Sequence, residues 1–353
     1  MKNKNSLLVL PLILALPLAG PSCQTNKKDG GFYKTTDGGE NWQQIVAIEE
    51  SKKEDLARAD IDQILVDPNS ADVLFAIVDG KGLFVSNQFG ESWKRILSET
   101  TTIFNVTADS RQKGFILASI LLNDRGKIVM SENGGVDWKE IYTETGKDTF
   151  VSHVRVDPFY PRSFLAVNSA GLLIRSSDEG ITWQPTFPFQ EEIKHIVFDP
   201  IKKDNIWALS EKGVWHSMDG GFSFDLLDLG GTYTSEMGSQ FYWLDKIGDG
   251  LFLATEKGFY RSQDEGKVWQ KIITLNNPTD FPPRLFQIID AAGKSTWFLG
   301  AGMTLYLSQD EGVNWKPIQF EIDRQLNALA VKKDDPRQMV VGVKRVKENM
   351  LMQ

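Results

Sequence analysis

The residues of this 353-residue chain that most invite a chemical reading recur at fixed spacing: a serine or threonine, an aspartate, a glycine and a tryptophan, as in LSQDEGVNWKPI over residues 307–318. An acid beside a tryptophan could form a sugar site, with the carboxylate moving a proton. The same frame, Ser/Thr-x-Asp-x-Gly-x-x-Trp, occurs seven times: KTTDGGENWQ, VSNQFGESWK, MSENGGVDWK, RSSDEGITWQ, HSMDGGFSFD, RSQDEGKVWQ and LSQDEGVNWK. In two copies the acid position holds Gln88 and Asn133, which keep an acceptor carbonyl and lose the charge. A turn tolerates that exchange, whereas a general acid or nucleophile does not.

The box therefore reads as a device for folding. Its glycine suits a turn that needs a backbone without Cβ. Asp37, Asp178, Asp219, Asp264 and Asp310 can accept hydrogen bonds from nearby backbone N–H groups. Trp42, Trp93, Trp138, Trp183, Trp269 and Trp315, with Phe224 in the fifth copy, can bury their rings, each worth roughly 2–3 kcal/mol.

Successive box aromatics lie 51, 45, 45, 41, 45 and 46 residues apart, a period that indicates a propeller or solenoid. From residue 61 each unit carries four apolar, β-rich runs, such as IDQILVDP, VLFAIVD, GLFVSN and WKRIL, separated by Asp-Pro and glycine breaks. Four short antiparallel strands repeated about an axis make a propeller blade. After the seventh box come QLNALAV and QMVVGVK, two strands without a box, while the N-terminal GGFYKTT and NWQQIVAI flank a box and lack the first pair. The expected fold is all-β: a seven-bladed β-propeller over residues 30–353, closed by pairing N- and C-terminal strands in one shared blade. KENMLMQ, residues 347–353, could add a strand or a cap.

These boxes resemble the BNR or Asp-box repeat over essentially the whole chain that follows residue 29. Families that share it include sialidases, two-propeller xyloglucanases, sortilin-type receptors and the photosystem II stability/assembly factor-like proteins, the last being nearest in length and in one box per blade. The resemblance implies the fold with high specificity and function with little. Sialidase-like catalysis would bring an arginine triad, a Tyr/Glu nucleophile pair and a Phe-Arg-Ile-Pro-like segment, which the sequence lacks. The xyloglucanase relatives use a cleft between two propellers, and this length supplies one. An assembly-factor role would imply a basic patch, whereas the arginines here are scattered.

At the N-terminus Lys2 and Lys4 precede an apolar run from Leu7 to Ala19, and small residues lead to Cys23. Residues 1–23 read as an export signal. The lone cysteine resembles that of a bacterial lipobox, which implies lipidation of Cys23, with residues 24–29 as a polar tether; the plainer reading is a secreted protein with an incidental thiol. A single cysteine excludes an internal disulfide and a multi-cysteine metal site. The formal charge of −8 argues against nucleic acid or an anionic membrane as partner, so membrane contact is expected through the anchor alone.

No elbow, phosphate-loop, zinc or calcium motif is present, and neither catalytic residues nor a metal or cofactor is expected. A weaker pattern recurs in the first strand of each blade. Gln63, Asn105, His153, His195, Gln287 and Asn327 are polar residues in apparently matching register, and could ring the axis. Neutral imidazoles on adjacent blades could seat a ligand or metal; the simpler reading is a water-filled channel whose lining satisfies itself. The face opposite the boxes carries the links from each fourth strand to the next first strand, where Tyr233, Phe241, Tyr242 and Trp243 could form a platform for a partner, or pack between blades. The expected protein is a monomeric, non-enzymatic binding propeller for a protein or protein complex. The alternative is a glycan-directed glycosidase or lectin.

Overall fold

The structure, a computed structural model, describes residues 28–49, 51, 53–146, 148–229, 237–272, 283–291 and 294–345. Its strands form seven four-stranded antiparallel sheets. Six are built in chain order, from Ile61–Leu97 in blade 1 to Pro283–Gln319 in blade 6. The seventh combines Gln325–Val331 and Met339–Lys344 with Phe32–Thr35 and Gln43–Ile45, and the seam runs between Phe32–Thr35 and Met339–Lys344. The propeller and its two-plus-two closure are as expected. Cys23, Tyr233 and residues 347–353 lie outside the described residues.

The second strand of each blade is apolar on both faces, as in LFAIV of Leu74–Val78, because each sheet is sandwiched between two others. The core is accordingly distributed between blades: Leu165 and Val167 of blade 3 pack with Ile196 and Ala208 of blade 4, and Ile174 of blade 3 packs with Ile128 and Met130 of blade 2. No helix among the described residues is long and apolar enough to cross a membrane.

All seven first strands carry an irregularity at the same place. Pairing with the second strand skips one residue between Ile61 and Gln63, Ile103 and Asn105, Val151 and His153, Ile193 and His195, Phe241 and Trp243, Pro283 and Leu285, and Leu326 and Ala328. Each is a β-bulge that bends the strand and re-aims its side chains. It sits where the chain enters the strand from the fourth-to-first link, and it shapes the axis of the molecule.

Candidate functional site

The seven boxes occupy the turns between third and fourth strands, and they share one hydrogen-bond circuit. Its hub is a residue that the sequence reading passed over, the leading serine or threonine. Thr35, Ser86, Ser131, Ser176, Ser217, Ser262 and Ser308 are buried, and each Oγ accepts from the N–H of the glycine four residues on, at 2.8–3.1 Å. In the five acidic boxes the same hydroxyl donates to aspartate Oδ1 at 2.7–2.9 Å. That oxygen also accepts the N–H four residues on, at 2.8–3.0 Å. A backbone N–H bond is the main cause holding Asp37, Asp264 and Asp310 below the usual carboxylate range, and the Thr182 hydroxyl does the same for Asp178. Carboxylates held ionised by their own loop are poorly suited to giving up a proton.

The two non-acidic boxes differ from each other. Asn133 donates from Nδ2 to Asp137 Oδ2 at 2.8 Å, the mirror image of Asn41 donating to Asp37 at 2.8 Å and Asn314 to Asp310 at 2.7 Å. Amide and carboxylate have exchanged places, so this box keeps its charge four residues later. At Gln88 no such swap exists; there the next residue, Phe89, is buried at a positive φ of 48° within the core shared by blades 7 and 1. The box aromatics reach backward round the ring. Trp93 stacks on Phe32 with centroids 4.1 Å apart, and the indoles of Trp138 and Trp183 donate to the carbonyls of Ile96 and Ile141 on the preceding blade. A Cβ on Gly180, at φ +80°, would meet Ile141 Cδ1 at 2.7 Å, so this glycine is required both by its turn and by its neighbour.

At the axis lies an open cavity of about 590 Å³ lined by all seven first strands. Its lining comes from the middle of the first strands, residues 62–65 of Ile61–Val66 in blade 1 and 104–107 of Thr102–Ala108 in blade 2. Gln63, Asn105, His153 and His195 share one register position, immediately after the bulge. The other two expected members do not. Asn327 is itself the skipped residue of blade 7, and Gln287 lies two positions beyond the residue that matches Gln63. The bulge shifts alternation by one residue, which a comparison of strand sequences alone does not reveal.

These side chains tie each blade to the next. Gln63 accepts from Val106 N at 3.1 Å and donates to Val106 O at 2.9 Å. Asn105 accepts from Val154 N at 3.2 Å, and Asn327 donates to the carbonyls of Ile61 and Asp62. His153 bonds the backbone of Lys194 and His195 that of Tyr242, so the two rings, 6.1 Å apart by centroid, serve successive blade interfaces. Burial lowers both imidazoles, His195 to about 4, leaving them neutral at pH 7. No cluster of three metal-ligating residues exists among the described residues.

Charge at the axis resides in groups the sequence reading missed. Arg155 donates from Nε to Ile196 O at 3.1 Å and from Nη1 to Asn105 Oδ1 at 2.7 Å. Asp245, in the same register position two blades on, accepts only from its neighbour Lys246 N, at 2.8 Å, among the described residues. Burial raises Asp245 to about 6. Asp62 is ion-paired with Lys344, and burial raises it as well. Nothing in local composition marks Arg155 or Asp245; only the register of the bulged strands brings them to one level.

The same bulge divides the aromatic group Phe241, Tyr242 and Trp243. Phe241 and Trp243 face consecutive residues of the second strand, Thr255 and Ala254, and so lie on opposite faces of the sheet. Phe241 packs in the core between blades 4 and 5, and Trp243 packs against Phe259 and Phe286 between blades 5 and 6. Tyr242 and Trp243 both line the axial cavity, and the Tyr242 hydroxyl donates to Gln240 Oε1 at 2.5 Å.

No family model matches the sequence, and neither does any curated protein. Solved structures do share the architecture. The GH74 xyloglucanase from Xanthomonas campestris superposes with a TM-score of 0.66 at 14% identity, covering 81% of this chain and 51% of its own. YCF48 bound to D1 peptide gives 0.61 at 14% identity, covering 81% and 93%, and YCF48 from Cyanidioschyzon merolae gives 0.61 at 12%, covering 80% and 95%. The likeness is one of fold. This chain spans about half the length of the xyloglucanase and nearly the whole length of the two YCF48 chains.

Proposed function

We propose that this protein is a non-enzymatic binding propeller, exported and anchored through a lipid on Cys23, that holds a segment of a protein partner at its axis. The observation that carries this reading is the open 590 Å³ cavity at the axis, walled by polar and aromatic side chains from the first strands of all seven blades. Ligand sites are concave and mostly pre-formed, and bonds between neighbouring first strands hold this one open. A neighbour of the same fold was solved with a peptide, which supports a peptide segment as the occupant. The first described residues point the same way. Asp29 lies against Asp323 and Arg324, on the link side of the ring, so a short tether from Cys23 would hold that face of the ring toward the lipid. The partner is then a membrane-embedded complex, and the role that of a scaffold or assembly factor.

Cross-linked capture from detergent-solubilised membranes tests the reading, with wild type compared to Tyr242→Lys and Cys23→Ser. Loss of one and the same captured protein in Tyr242→Lys supports it; retention of that protein, or saturable binding of a glucan oligosaccharide in its place, overturns it. Cys23→Ser should abolish incorporation of labelled palmitate and release the protein from the membrane fraction.

A further inference from the structure

Arg155 and Asp245 face one cavity with opposite charge, and no nitrogen of one comes within 4.0 Å of an oxygen of the other. Each keeps an unused polar atom among the described residues: guanidinium Nη2, since Nε and Nη1 are committed, and carboxylate Oδ2. His153, which lines the same cavity, has its Nδ1 buried without a hydrogen-bond partner. Buried polar atoms are normally paired, and a desolvated ion left apart from its counter-ion is costly. Here the unused atoms of both ions border one volume, and the two ions are held apart by construction. Arg155 is pinned to blades 2 and 4 by Asn105 and Ile196, and Asp245 is fixed by the main chain of Lys246.

We propose that the axial cavity binds a small zwitterion, an α-amino acid or a short peptide with free ends, whose carboxylate pairs with Arg155 and whose ammonium pairs with Asp245. A guanidinium favours a carboxylate through directed, charge-assisted bonds, and a carboxylate that accepts one main-chain bond retains capacity for an ammonium donor. Phe104, Tyr242 and Phe286 supply aromatic wall for an apolar side chain between the two charged ends. Neutral His153 and His195 add no positive charge that would repel the ammonium. The inference rests on the axial cavity being the binding site, though on no particular macromolecular partner.

Calorimetric titration of the detergent-solubilised full chain tests it with four probes: L-phenylalanine, glycyl-L-phenylalanine, N-acetyl-L-phenylalanine and phenethylamine. At least one zwitterion should bind, and the acetylated and decarboxylated compounds should bind at least about tenfold more weakly. Which of the first two is tighter separates a free amino acid from a peptide terminus. Asp245→Asn should weaken the zwitterion about tenfold and leave N-acetyl-L-phenylalanine unchanged, while Arg155→Lys weakens both carboxylates. Equal binding of all four probes, or no heat from either zwitterion at about 10 mM, overturns the proposal. If a variant fails to fold, the four-probe comparison on wild type still decides. Because no partner is present, this result is independent of whether the capture experiment succeeds.

Discussion

Arg324 Nε donates to Asp29 Oδ1 at 2.9 Å, joining the last blade's first strand to the segment that leads into its third strand, 295 residues away in sequence. The same guanidinium reaches Asp60 and the carbonyls of Ala59 and Arg58, and Asp60 in turn accepts from Arg345 Nε at 3.0 Å. Arg324 and Asp60 are both buried. The seam of the ring is thus latched by ion pairs as well as by its strand ladder.

Arg324→Met should destabilise the protein by about 1–3 kcal/mol, because it leaves the buried Asp60 carboxylate with Arg345 alone and Asp29 without its partner. Urea unfolding measures the loss. Limited proteolysis should show cleavage beginning near residues 28–45, the half-blade that the latch retains. Cleavage spread evenly over all blades would mean that the seam is not the weak point.

The box hydroxyl, not the box acid, should dominate the stability of each turn. Ser308→Ala leaves the buried Gly312 N–H without an acceptor and should cost about 1–3 kcal/mol by chemical denaturation. Ser308→Thr should lie near wild type, as Thr35 fills the same role in the closing blade. Asp310→Asn should cost less than Ser308→Ala, since the amide carbonyl still accepts.

The exchanged box gives a sharper test. Asn133→Asp sets two carboxylates together at positions 133 and 137 and should lower Tm by about 2 °C. Adding Asp137→Asn recreates the arrangement of Asp37 with Asn41 and should restore it. A double mutant no more stable than the single would show that the pair does not couple.

Titratable groups at the axis couple stability to pH in opposite directions. His195, lowered to about 4, and His153, also lowered, bind protons in the unfolded state before the folded one, so they add stability that is lost as pH falls from about 6.5 toward 4. Asp245, raised to about 6, takes up its proton in the folded state first, so it adds stability as pH falls through 6. Arg155, Lys194 and Lys246 are the nearby groups that remain positively charged throughout. Burial raises Asp62 as well, so two imidazoles oppose two carboxyls at the axis, and the variants read each side of that balance between pH 6.5 and 4. Relative to wild type, urea unfolding from pH 6.5 down to 4 should show less acid destabilisation in His195→Gln and more in Asp245→Asn.

Blade number, closure and the turn role of the boxes were legible because they depend on period and local turn chemistry, which sequence records directly. The axis was legible only in part. Gln63, Asn105, His153 and His195 align in sequence and in space, since their strands enter with the same number of residues before the bulge. Gln287 and Asn327 align in sequence only, and Phe241 and Trp243, two apart in an apparently regular strand, diverge into different cores because Tyr242 is skipped. A bulge leaves no fixed residue signature, so side-chain direction beyond it cannot be counted from alternation. Arg155 and Asp245 were overlooked for a related reason: they meet across two blades, a relationship set by strand level around a ring and not by spacing along the chain.

The shared blade also sets an order of events in synthesis. Phe32–Thr35 is among the first strands made, while its partner Met339–Lys344 is among the last. Until the end of the chain emerges, the nascent ring carries an exposed strand edge at its beginning, open to mispairing with other chains. Closure is therefore a late step dominated by long-range contact, and slow on that account. A chain truncated just short of Met339 would keep six complete blades and still present that edge permanently.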